Sequence, residues 1–252
     1  LRLLQQATGD AKEAESTIQK AIDINEKLAA ENPKRRDYQH RLAGTYNTHG
    51  GLLRAAGRHD EAIACIQEAI EFSERIVADN PTVHQYRDWL ANHYDILSSL
   101  QEGTGRLDDA LAARQKALEI KEKLATENPD VLDFQHALAG SYNDLGNVQK
   151  DSGMQHEALS SYQKAIEISE RIAVKRPEVP KYQNYLAIHY LNLGIVQTTT
   201  GALKQAIPSF QRALAIHKSL ASENPKLVRY QAGLAGSYNY LSRLQQRMGK
   251  TG

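Results

Sequence analysis

One cysteine, one tryptophan, two methionines and three phenylalanines in 252 residues remove several kinds of chemistry from consideration. Cys65 has no second cysteine to bridge, so the chain is no disulfide-stapled scaffold, and a reducing, cytoplasmic setting fits it. Charge of one sign is also lacking. Thirty-one basic residues against thirty acidic ones leave +1, which gives no global field to draw the chain to nucleic acid or to an anionic membrane. No apolar run approaches the roughly 18 residues of a membrane span. The loop "EGTGR" at 102–106 has two glycines but neither a phosphate-loop lysine nor a strand before it. No nucleophile with a base, no paired catalytic carboxylates and no metal cluster stand out, because His93 and His189, like His40 and His136, lie two units apart. The expectation is a chain with no cofactor, no metal and no catalytic residues, in which the groove histidines are simply solvated.

What is present is one unit repeated at a period of 48, without insertion or deletion. Prolines recur at 33, 81, 129, 177 and 225, glycines at 9, 57, 105, 153, 201 and 249, and tyrosines at 46, 94, 142, 190 and 238. Between each proline and the next glycine, apolar residues sit three and four apart, the spacing of an amphipathic helix, and the same holds from glycine to proline. Glycine suits a helix C-terminus, and the residue before proline avoids helical angles. The pattern predicts an all-α chain of about ten antiparallel helices plus a partial one. The helix pairs run approximately over 35–79, 83–127, 131–175 and 179–223, with a helix 10–31 before them and a helix 227–248 after. "LRLLQQAT" reads as the tail of an earlier helix, and 227–248 has no partner, so a piece of a longer protein is expected. Pro208 should remove one hydrogen bond near the start of its helix.

Tyr142, Leu145, Gly146, Gly153, Ala158, Tyr162 and Ala165 in the third unit resemble the tetratricopeptide repeat, whose motif is W-x2-L-G-x2-Y followed by A-x3-F, A and P. The resemblance recurs in five units. Departures include Gln149 at the second aromatic, His49 at the leucine of the first full unit, and Arg114 at the position of Tyr162. The unit is also 14 residues longer than the usual 34, about two turns per helix, as in kinesin light chains, and the "EKLATENP" phrasing is similar to repeat arms of bacterial serine/threonine kinases. A 96-residue period lies over the first, with Trp89 and Tyr185 marking even units and Arg41, Ala137 and Gly233 taking that place in odd ones.

The resemblance implies an α-solenoid, a right-handed superhelix in which the first helix of each unit lines a concave groove. Groove positions then hold an asparagine ladder, Asn47, Asn143 and Asn239 with Asp95 among them, able to pair with an extended peptide backbone. Asn147, Arg54, Lys150 and Arg243 flank it, with Glu102 as the opposing charge. In the fourth unit Ile188, Leu191 and Ile195 replace polar residues, an expected pocket for an apolar anchor. Gly44, Gly140 and Gly236 would keep the groove floor open. The tyrosine ladders read as core. The expected function is a non-catalytic scaffold for a protein or peptide partner, with no nucleic acid and no membrane. The alternatives are end-to-end self-association into a structural rod and a regulatory arm of a larger signalling enzyme.

Overall fold

The recurring glycines mark where the chain leaves one helix for the next. In the computed structural model, which describes residues 2–33 and 35–249 and side chains from residue 13, Gly57, Gly105, Gly153 and Gly201 take φ of 75°, 75°, 79° and 82°. The N–H following each glycine reaches back to a carbonyl five residues earlier, as in Arg58 to Leu53 at 2.9 Å and Met154 to Gln149 at 2.8 Å. This closure satisfies orphan carbonyls at a helix end and requires a left-handed residue, which only glycine adopts cheaply. The "NP" ends work differently. The side-chain amides of Asn32, Asn80, Asn128 and Asn224 each donate to the carbonyl four residues before, at 2.9 to 3.1 Å.

The helices so bounded are α1 (Arg2–Glu31), α2 (Arg36–Ala55), α3 (His59–Asp79), α4 (His84–Gly103), α5 (Leu107–Glu127), α6 (Leu132–Asp151), α7 (Gln155–Lys175), α8 (Pro180–Thr199), α9 (Leu203–Glu223) and α10 (Val228–Gly249). The fold is an all-α solenoid, with no strand among the described residues. One expected boundary is absent. α1 runs unbroken through Gly9, so residues 2–8 extend it rather than ending a separate helix; Leu1 lies outside the described residues. α9 likewise continues through Pro208.

The chain forms two compact units, residues 1–120 and 121–252. In the first, each of α1 to α4 packs on its neighbour in sequence. In the second, α6 to α10 do the same, and α8 also touches α6 and α10, so these three make one layer with α7 and α9 behind it. Packing repeats with the sequence. An added Cβ at Gly146 would lie 2.7 Å from the Tyr162 ring, and one at Gly194 would lie 2.6 Å from Phe210. These glycines let the second helix of each pair press its aromatic residue onto the first.

Polar ladders run through both units at the same period. The phenol of Tyr46 donates to Glu26 at 2.7 Å, and Tyr94, Tyr142 and Tyr190 donate to Glu74, Glu122 and Glu170. Burial, the carboxylate hydrogen bond and its charge push all four phenols above their usual range. Deeper in, Ser73 meets His93 at 2.9 Å and Ser169 meets His189 at 3.0 Å. In the last pair the two residue types exchange helices. His217 on α9 meets Ser237 on α10 at 2.7 Å, in room left by Gly233, where a Cβ would strike the imidazole at 2.8 Å.

Candidate functional site

The faces of interest are those of the first helices of each repeat. In the first unit α2 carries Gly44 and Asn47 one turn apart and Arg54 two turns beyond Asn47. A Cβ on Gly44 would meet nothing within 4 Å, Asn47 is half-buried and Arg54 is exposed. On α4 the surroundings differ. Arg114 of α5, only 3% exposed, donates to Asp95 at 2.7 Å and to Glu102 at 3.0 Å. A guanidinium this buried is costly without counter-charges, so both carboxylates are committed to it. The departure from the aromatic at position 114 was visible in the sequence, and the acids 19 and 12 residues before it were the available signal.

His40 is not the solvated groove histidine expected. Its ring stacks on Trp89 with centroids 3.4 Å apart and planes 12° from parallel, and burial lowers its pKa. His136 repeats this 96 residues on, with its centroid 4.6 Å from that of Tyr185 and 5.3 Å from that of Tyr182. Burial, and then the charge of Lys181, lower its pKa. The residues that mark even units are thus the partners of histidines in odd ones.

In the second unit the layer α6, α8, α10 separates the ladder into bound and free members. Asn143 is 8% exposed, and its carbonyl oxygen accepts from Asn192 of α8 at 2.8 Å. Asn147 accepts from the Tyr162 phenol at 2.8 Å, and Lys150 pairs with Asp151 at 3.0 Å. Asn239 and Arg243, on α10, are exposed, and a Cβ on Gly236 would meet nothing within 4 Å; the same is true of Gly140 on α6. Asn192 was missed because it falls beside the motif's groove positions and its partner is 49 residues away.

Ile188, Leu191 and Ile195 are each half-buried. Leu191 and Ile195 pack with Phe210, Leu244 and Tyr240, whose ring stacks on Phe210 at 5.7 Å. Where Tyr162 needs Asn147 as an acceptor, Phe210 has no hydroxyl, and the equivalent position is the aliphatic Ile195. Much of the fourth unit's apolar surface is accounted for by this packing among α8, α9 and α10.

Among the described residues no group of three or more histidine, cysteine or acidic side chains could hold a metal ion, and no helix is long and apolar enough to cross a membrane. Family models described as Tetratricopeptide repeat match residues 41–123 and 139–171. The chain is a tetratricopeptide-repeat protein. Such repeats are generally non-catalytic scaffolds that bind protein partners. Among solved structures, BtubC (BKLC) from P. vanneervenii aligns with a TM-score of 0.61 at 19% identity, covering 95% of this tetratricopeptide-repeat chain and 90% of that one. MamA aligns with a TM-score of 0.49 at 20% identity, covering 85% and 96%. No curated protein matches the sequence.

Proposed function

We propose that this tetratricopeptide-repeat chain is a non-catalytic interaction scaffold that holds a segment of a partner protein against the first-helix faces of its units. The observation that carries the reading is the pairing of open backbone with free amides. Gly44 with Asn47 on α2, and Gly236 with Asn239 on α10, each place an unobstructed glycine one turn from an asparagine at the surface. An asparagine amide offers two donors and a carbonyl acceptor, enough to engage both polar groups of a peptide unit, and a glycine beside it lets that backbone approach. Arg54, two turns beyond Asn47, and Arg243, one turn beyond Asn239, are both exposed and favour acidic side chains in the bound segment.

Asp95, Asn143 and Asn147 have a different part in this reading. Their engagement by Arg114, Asn192 and Tyr162 makes them supports of the face, while Asn47 and Asn239 remain for a ligand. A peptide selected from a library on the whole chain, titrated against Asn239→Ala with Arg243→Ala, tests the α10 face, and Asn47→Ala with Arg54→Ala tests the α2 face. Affinity should fall about tenfold for the face in use, each lost polar contact being worth about 1 kcal/mol, with helical circular dichroism unaltered. Unchanged affinity in both variants would refute the assignment.

A further inference from the structure

A large hollow in the second unit lies not on the α6, α8, α10 layer but behind it, between α7 and α9 with α8 as its floor. Its volume is ≈780 Å³. Leu186 and Ile216 form the base, Ala173 and Ala215 the walls, and Val174 stands at the lip with 81% of its surface exposed. A second hollow of ≈450 Å³ shares Gln183, Ala215 and Ile216 with it and continues toward Ser219 and Glu223. Together they make a trough along α9 from Arg212 to Glu223, about 16 Å at the helical rise of 1.5 Å per residue. An extended chain covers that length in about five residues.

The repeat itself shows what makes the trough. Forty-eight residues earlier, the same surface holds only ≈340 Å³, lined by Thr126, Leu138, Tyr142, Lys164 and Ile168. There Glu167 and Arg171, also in its lining, pair with each other at 3.3 Å along α7. The equivalent residues on α9 are Ala215 and Ser219, both short, and Thr126 is matched by Val174. Three substitutions have removed an ion pair and a hydroxyl and left apolar surface open. Its charge is polarised. Arg171, Lys175 and Arg212 rim one end, where Glu170 accepts from Tyr190 and lies 3.4 Å from Arg212, and Glu167 pairs with Arg171 from the neighbouring turn. At the other end are Glu178, held by Arg176 at 2.6 Å, and Glu223, which accepts from Ser219 at 2.5 Å.

We infer that this trough is a second docking site, which takes a short extended segment of a partner protein bearing acidic residues followed by aliphatic ones. The aliphatic side chains fill the space over Leu186 and Ile216, and the acids meet the Arg171, Lys175 and Arg212 rim. The elongated shape selects a stretch of chain over a compact small molecule, and three cations against the two carboxylates Glu167 and Glu170 leave a positive rim, with Lys175 at its centre, that selects the sign.

The probe is fluorescein-labelled Glu-Glu-Leu-Leu-Ser, with Lys-Lys-Leu-Leu-Ser as its counterpart, followed by anisotropy on the whole chain. Saturable binding is expected below about 1 mM, at least about tenfold tighter for the acidic peptide. Ala215→Glu, which installs the residue the preceding unit carries on an exposed helical position, should weaken it about tenfold or more while circular dichroism stays helical. Lys175→Glu should weaken it in the same direction. Absence of saturable binding, equal affinity for the lysine peptide, or indifference to Ala215→Glu would each overturn the proposal. None of these substitutions touches α2 or α10, so its failure leaves the first-helix faces untested and unaffected.

Discussion

Lowering the pH from 7 to 5 should cost this fold a large part of its stability, and His93 and His189 contribute most of it, with His40, His136 and His217 acting in the same direction. His93 on α4 and His189 on α8 are buried against Ser73 and Ser169, and burial, helped by the nearby His40 and His136, holds their pKa at about 4. An unfolded histidine titrates near 6.5. Between these values the unfolded chain binds protons that the folded chain refuses, so stability is full above about pH 6.5 and falls as the pH drops toward 4. At pH 5 each histidine has cost about 2 kcal/mol. The carboxylates held low by partners, such as Asp37 and Glu61, keep most of their contribution at pH 5 and lose it as the pH falls further. Trp89, the single tryptophan, lies in the first unit with His93, so its fluorescence during urea unfolding reports that unit. With an m-value of about 2 kcal/mol per M, the midpoint should fall by roughly 1 M from pH 7 to pH 5. His93→Gln, which still meets Ser73, should remove most of that fall. A midpoint that does not move, or that moves equally in His93→Gln, would refute the reasoning.

Two glycines in one helix should respond oppositely to the same change. Gly146→Ala drives a Cβ to 2.7 Å from the Tyr162 ring and should cost about 1 to 3 kcal/mol in urea unfolding, whereas Gly140→Ala meets nothing within 4 Å and should stabilise by up to about 1 kcal/mol. Tyr162→Phe leaves Asn147 without its donor and should cost about 1 kcal/mol by the same assay; adding Asn147→Ile copies the Phe210 and Ile195 pairing and should recover most of it. Arg114→Ala strands Asp95 and Glu102, which are partly solvated, and should lower stability by about 2 to 4 kcal/mol, a loss read directly from the Trp89 unfolding curve.

The elements of this fold were legible because each unit repeats its own punctuation. A left-handed glycine closes one helix, an asparagine amide before proline closes the next, and both requirements are local. The packing of Gly146 on Tyr162 was also legible, since it joins the two helices of one unit at a fixed offset. Gly9 carries the same signal as Gly57, yet α1 runs through it without a turn. The candidate face was read less well, because its state depends on neighbours one unit away. Asn143 occupies the ladder position, yet Asn192 of the next first helix makes it a buried support. His40 and His136 sit on the groove face by period, and Trp89 stacks on the first while Tyr185 and Tyr182 meet the second with tilted and edge-on rings. Leu191 and Ile195 looked like an open apolar patch until Phe210 and Tyr240 were placed beside them. In each case the residue types were visible and the register between successive first helices was not.

The central claim is that the amides of Asn47, half-buried, and Asn239, exposed, receive a partner segment, and side-chain amide resonances test it most directly. Asn47 and Asn239 can be followed by nuclear magnetic resonance as a library-selected peptide is added to the whole chain. The account predicts saturable shifts in the amide of Asn47, Asn239 or both, while the amide of Asn143, held by Asn192, stays in place. A peptide that binds saturably and leaves both Asn47 and Asn239 unmoved would contradict it.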